Sequence, residues 1–443
     1  MWRWPPVPPN QKRFTLRRAA VPLCLVDSPP ASASPDAEGL IRLDIEIADG
    51  RIATIAAAAR ERDGAGAVDL DGSQVWPCFV DMHTHIDKGH IWPRAVNPDG
   101  TRDGAIAATA ADRERRWNER DVALRMAFAL RAAYAHGTAA IRTHIDSTAP
   151  QHRISWPVAA RMREEWRGRV ELQAVTILPI EQLAGPFGEE LADLVAASGG
   201  ILGGVALPAS DLDDRLDRAF MLAAARGLEL DFHADESLDP NAKALPAIAA
   251  AKLRHRFDRQ VVVGHCCSLS IQDDAAIDRT LDLVARAGVA VVSLPMCNLF
   301  LQDRRPGRTP RRRGVTLLHE MWARGIRVAV ASDNCRDPFY AYGDHDALEV
   351  FTQAARIAHL DRPVGAWPAA VTRTPAEIMG LRSTGRLAVG GAADLVLFNA
   401  RGYSELLSRP QADRIVLRGG RAIDTAPPSY RELDELVAAQ EPR

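Results

Sequence analysis

His83-Thr84-His85 closes an apolar run, Val75-Trp76-Pro77-Cys78-Phe79-Val80-Asp81-Met82, that reads as a strand. Residues i and i+2 of a strand share a face, so the two imidazoles can reach one metal ion. Groups with similar chemistry close four more apolar runs: Arg142-Thr143-His144-Ile145-Asp146, Asp231-Phe232-His233-Ala234-Asp235-Glu236, Gly264-His265-Cys266-Cys267 and Ala331-Ser332-Asp333-Asn334. A hydrolytic metal centre needs nitrogen and oxygen ligands that leave a position open for water. His83, His85, His233 and Asp333 supply three neutral imidazoles and a carboxylate and are the candidate ligands, with Asp333 counted among the catalytic groups as well. Glu236, just beyond a ligand strand, can take a proton from water and return it to a leaving group. His265 could bind the metal or stabilise charge developing on substrate or water. Asp146 is read as orienting His144 or capping the site.

Such a set works only if the strand ends meet. Apolar strand runs near 75–83, 137–146, 170–179, 200–208, 227–235, 261–267, 288–295 and 326–334 alternate with stretches such as 121–136, 212–226 and 273–287, which have helical periodicity. Eight strands alternating with helices predict a (β/α)8 TIM barrel, whose chemistry sits at the C-terminal strand ends. Flanking it, Leu43-Asp44-Ile45-Glu46-Ile47 alternates strictly before the turn at Ala48 to Arg51, and strand-like runs recur at 393–398 and 415–418. The two chain ends are therefore expected to pair into a small β-sandwich module. The boundaries read as a disordered N-terminus at 1–12, the β-module at 13–74 plus 384–430, the barrel at 75–383 and a C-terminal tail at 431–443.

A net charge of −2 argues against nucleic acid or a membrane surface as main partner. No apolar run reaches the roughly 18 residues needed to span a bilayer. Arg17-Arg18 followed by apolar residues to Val26 admits an export signal, but the proline and the shortness of the run favour a first β-strand. Six scattered cysteines without CxxC spacing suggest reduced thiols and a cytoplasmic protein. A homo-oligomer is expected.

The motifs HTH at 83–85, HADE at 233–236, GH at 264–265 and SD at 332–333 resemble the amidohydrolase superfamily. RTHID at 142–146, PMCNLFLQDRRPGRTPRRRG at 295–314 and SDNCRDPFYAYG at 332–343 place the likeness in its bacterial cytosine deaminase branch. The resemblance covers most of the chain. It implies one divalent ion, zinc or iron, on His83, His85, His233 and Asp333, with Glu236 shuttling protons and His265 assisting. Strand four ends in Val205-Ala206-Leu207-Pro208, without the lysine that bridges two metals in binuclear relatives, which favours a single ion. The implied reaction is hydrolytic removal of an exocyclic amine from a small nitrogen heterocycle.

The chain departs from cytosine deaminase where the ring is read. That enzyme has a glutamine after the proline ending strand three; here Pro179 is followed by Ile180. Its second aspartate on strand eight is Asn334 here, and an amide donates as well as accepts. Lys88 adds a positive charge. Lys88, Ile180, Asn298, Gln302, Asn334 and Phe339 are the candidate substrate-binding residues, and cytosine is expected to be a poor substrate. A cyclic amidase and a triazine hydrolase releasing an alkylamine are alternatives on the same metal site, and a non-enzymatic ligand-binding relative is the remaining one. The arginines from Arg304 to Arg313 are read as a structural or subunit-contact loop.

Overall fold

The computed structural model describes residues 11–59 and 66–438. Most of the N-terminal segment expected to be disordered, and the last five residues of the expected tail, lie outside the described residues. The chain divides into two compact units, each described by itself.

One unit comprises the described part of Met1–Asp81 with Arg131–Ala140 and Asp346–Pro427. Its sheet draws on both chain ends. Arg13–Pro22 pairs antiparallel with Leu40–Ala48, which pairs with Arg51–Ala57. Gln74–Pro77 runs antiparallel to Leu395–Phe398, which pairs with Ile415–Arg418, so residues more than three hundred positions apart share a ladder. The Arg17-Arg18 region is thus a strand, as favoured over an export signal. Alternation explains the local fold: Leu43, Ile45 and Ile47 are buried on one face of Leu40–Ala48. Trp76 is the aromatic centre, meeting Phe351, Phe398 and Tyr403 edge-on at 5.4, 5.9 and 6.4 Å. Such pairs add about 0.5–1.5 kcal/mol each beyond burial.

The second unit, Met82–Leu130 with Ile141–His345 and the described part of Pro428–Arg443, holds most of the barrel. Its strands are β1 (Phe79–Thr84), β2 (Thr138–Asp146), β3 (Glu171–Ile177), β4 (Leu202–Ala206), β5 (Leu230–Ala234), β6 (Val261–His265), β7 (Ala290–Ser293) and β8 (Val328–Val330). Strands β4 to β8 form one parallel ladder in chain order and β1 to β3 another. Parallel bridges Thr84↔Asp333 and Pro179↔Val205 join the two ladders and close the ring. All eight strands fall where the sequence pattern predicts them. The run from 75 differs in one respect: it is two strands, Gln74–Pro77 in the β-module and β1 in the barrel, split at Cys78.

The helices at Glu119–Ala135, Leu212–Arg226 and Asp274–Ala287 match the helical periodicity. The last begins at Asp273, whose side chain accepts from Ala276 N, and ends at Gly288 with φ +62°, a conformation that costs glycine little. An additional helix, Arg102–Arg116, lies between β1 and Glu119–Ala135. It is absent from the sequence-based element list. No described helix is long and apolar enough to cross a membrane.

Candidate metal and active site

Four donor atoms converge at the strand ends. His233 Nε2 lies 3.1 Å from His83 Nε2 and 3.3 Å from His85 Nε2. Asp333 Oδ1 lies 3.1 Å from His85 Nε2 and 3.6 Å from His83 Nε2. These separations are the edges of a tetrahedral shell with bonds of about 2.0–2.2 Å. β1 supplies His83 and His85 on one face, and β5 supplies His233. The barrel closure supplies Asp333, whose N donates to His83 O at 2.8 Å. Asp333 takes φ +64° and His265 φ +72°, left-handed conformations uncommon outside glycine, at the points where the chain turns off its strand.

The electrostatics fit a cation. His83, His85 and Asp333 are all but sealed from solvent. Burial, then neighbouring positive groups, holds His83, His85 and His233 well below the ordinary imidazole value, so all three present neutral rings. Burial, then the charge of Glu236, pushes Asp333 well above the carboxylate range. Both Asp333 oxygens lack a hydrogen-bond partner among the described residues. A buried carboxylate without donors is costly unless it meets positive charge. The donor set and its orphaned oxygens therefore fit a divalent ion, and His83, His85 and Asp333 form one of the clusters able to hold one.

Glu236 stands beside this centre with one oxygen on each of two partners. Its Oε1 is 3.5 Å from His265 Nδ1, and its Oε2 accepts from Arg102 Nε at 2.9 Å. Burial pushes this carboxyl up, but His265 and Arg102 outweigh the burial and leave it below its usual value. Asn298 Nδ2 lies 3.0 Å from His265 Nδ1 and fixes the plane of the ring. His144 is fully buried with its ring 4.0 Å from that of His83.

A cleft of about 180 Å³ opens over these groups. Its wall includes His85, His233, Glu236, His265 and Asp333, together with Lys88, Asn334 and Phe339. Lys88 Nζ sits 4.3 Å from the Phe339 ring centre. Ile177, Leu178, Pro179, Val205 and Leu207 make an apolar side. The helix Arg102–Arg116 covers another side with Arg102, Ile106, Thr109 and Arg113, spaced along one helical face.

Of the other expected contacts, Ile180, Asn298 and Gln302 lie outside the wall. Ile180 is buried behind the wall, in a short 3-10 turn against Gly204. Asn298 is fully buried on His265, and Gln302 Nε2 donates to Glu236 O at 3.4 Å, so both brace candidate catalytic groups from behind. Asn334 turns its amide to Asp337 Oδ2 at 2.7 Å. Asp146 lines the cleft, in keeping with the second of the two roles read for it, and is not the carboxylate beside His144. It accepts from Arg113 Nη1 at 2.6 Å, and the carboxylate beside His144 is Asp231 at 4.0 Å. The basic loop is braced on itself: Asp303 accepts from Arg308 and from the backbone of Arg311 and Arg312. The sequence reading missed Arg102 and Arg113. Their one signal is the i, i+4, i+7, i+11 stripe after Thr101, which accepts from Gly104 N as a helix cap.

Residues 196–423 match the model of the amidohydrolase family. The chain is 53% identical over 433 residues to a pterin deaminase of Rhizobium rhizogenes (strain K84 / ATCC BAA-868), with 98% of each sequence covered. Among solved structures it resembles 5-methylcytosine deaminase from Klebsiella pneumoniae liganded with 5-fluorocytosine, at 25% identity and TM-score 0.79 over 93% of this chain and 97% of that one. It also resembles N-isopropylammelide isopropylaminohydrolase from Burkholderia multivorans ATCC 17616, at 26% identity and TM-score 0.72 over 94% of this chain and 100% of the other.

Proposed function

The chain belongs to the amidohydrolase family and is a hydrolase acting on carbon–nitrogen bonds, and we propose that the bond it breaks joins an exocyclic amine to a pterin ring. The observation that carries the substrate class is the likeness to a pterin deaminase along almost the whole of both chains. The cleft supports it. Apolar side chains from the ends of β3 and β4 and from Ile106 suit the faces of a flat bicyclic ring, while Lys88, Arg102, Thr109 and Thr148 suit its oxygen and nitrogen edge.

In this reading His83, His85, His233 and Asp333 hold one divalent ion, zinc or iron. Such an ion lowers the pKa of water towards neutrality. Glu236 does the proton work: its Oε1 takes a proton from the attacking water and returns it to the departing nitrogen. The water oxygen bonds to the ring carbon between two ring nitrogens, the bond to the exocyclic nitrogen breaks as that nitrogen takes the proton from Glu236, and the second water proton passes to a ring nitrogen, so that ammonia leaves behind a ring carbonyl. His265, held in place by Asn298, stabilises developing negative charge rather than ligating. Asp333 is both ligand and neighbour of the reacting oxygen. Lys88, Asn334 and Phe339 contact the ring. Ile180, Asn298 and Gln302 act on substrate through the groups they brace. The enzyme works as a cytoplasmic homo-oligomer.

The test is a substrate panel read by released amine and by the ultraviolet spectrum of the ring. Pterins should be turned over with loss of ammonia and an intact bicycle, and cytosine should be poor. Better kcat/KM for cytosine would overturn the substrate class. Release of an alkylamine from a substituted triazine as the best reaction would favour the second solved relative's chemistry. Ring opening would favour a cyclic amidase.

A further inference from the structure

A second cluster of metal-ligating side chains lies apart from the centre just described. His90, Cys335 and His345 each present a ligand atom, all within 4.8 Å of one another, and all three residues are buried. His90 is 5% exposed, and neither of its ring nitrogens meets a hydrogen-bond partner among the described residues. Its ring packs edge-on against Phe128 at 4.7 Å. Packing alone is a poor reason for an imidazole there, because each unsatisfied buried polar atom is destabilising and a phenyl would fill the space without that cost. Cys335 is a free thiol.

The backbone brings these groups together. His90 N donates to Cys335 O at 3.0 Å and Trp92 N to Arg336 O at 2.8 Å, pairing the loop after β1 with the loop after β8. Arg336 N donates to Tyr342 O at 3.0 Å, which turns the second loop back so that His345 returns to Cys335. Burial, then the negative charge of Asp344, pushes the Cys335 thiol well above its ordinary value, and the Arg336 charge opposes this only in part.

We propose that His90, Cys335 and His345 form a second cation site, for a thiophilic divalent ion such as zinc, that fastens the loop after β1 to the loop after β8. One thiolate and two imidazoles are favoured zinc donors. The thiol proton passes to solvent on binding. Lys88 lies on the first loop, and Asn334 and Phe339 lie on the second. The ion therefore sets the rim that faces substrate and takes no part in the bond-breaking step. The inference does not depend on the ring being a pterin.

The two centres differ in donor chemistry, and that difference makes the test clean. The candidate catalytic donors are nitrogen and oxygen, so a thiolate-to-cobalt charge-transfer band reports the second site alone. The full chain purified from cobalt-supplemented cultures should carry two equivalents of metal and show that band. Cys335→Val, which keeps an apolar side chain of similar size, and His345→Gln should each fall to one equivalent; the valine variant should lose the band. Cys297→Ala should keep the band, and His83→Ala should keep it while losing the other equivalent. A fully loaded wild type without the band, or a band surviving Cys335→Val, overturns the proposal. Loss of the band in His83→Ala would mean that the two clusters are one site, which also overturns it. If the band behaves as expected but His83→Ala keeps both equivalents, the reading of the catalytic centre fails instead.

Discussion

The role of Glu236 turns on two oxygens with different duties. Oε2 is held by Arg102, and in the proposed mechanism Oε1, on the His265 side, is the oxygen that exchanges protons. Glu236→Gln preserves size and can still accept from Arg102, but it cannot take and return a proton. It should keep its metal while kcat falls by about 10²–10⁴, the usual contribution of a general acid–base group. Near-normal turnover with full metal content would remove Glu236 from the chemistry. At this scale the sequence was legible where a short motif fixed a residue on a strand end, as with His83, His85, His233, Glu236 and Asp333. It was opaque where the side chain's direction depends on a turn: Ile180 follows the wall residue Pro179 in sequence but is buried behind it. Arg102 carries no motif, since an arginine opening a helix says nothing of the carboxylate it will meet.

The elements do more than line up the ligands; they must also leave room for them. Gly264 of β6 lies opposite His233 of β5 in the ladder. A Cβ there would stand 2.7 Å from His83 Cε1 and 3.1 Å from His83 Nδ1, and the buried His83 ring has little space into which to retreat. Gly264→Ala should therefore push His83 out of the donor set without breaking the strand, at a stability cost of about 1–3 kcal/mol. Misplacing a reacting group by 1 Å can cost about 10² in rate, and that is the expected fall in kcat/KM. Metal content should fall in parallel while the far-ultraviolet circular dichroism stays unchanged. A variant with full metal and full activity would show that the ring has more freedom than its burial implies. The strands themselves were readable because parallel barrel strands, buried on both faces, give unbroken apolar runs. The break at Cys78 was not, because an apolar run continues across it and only the change of pairing partner marks the end of one strand and the start of the next.

Across the whole molecule the candidate ligand set is a long-range contact, reaching from residue 83 to residue 333, and an unfolded chain has no means of presenting it. An ion that binds only the folded form stabilises it by RT ln(1 + [L]/Kd), about 4 kcal/mol at a free concentration ~1,000 times Kd, or about 10 °C in Tm for a unit of this size. Removing metal with a chelator should lower Tm by that order, and adding zinc back should restore it. Removing one ligand separates the contributions. His83→Ala should show a smaller rise on zinc addition, the remainder belonging to His90, Cys335 and His345. An equal rise in His83→Ala and wild type would mean that the catalytic donors hold their ion too weakly to matter to the fold. The same geometry explains why the site was readable in outline from the sequence and the substrate was not. The barrel guarantees that strand ends meet, whatever their spacing along the chain, so the ligands could be gathered without knowing one distance. The cleft wall is assembled from the loops and the added helix, which no such rule places, and Arg102–Arg116 supplies a whole side of it.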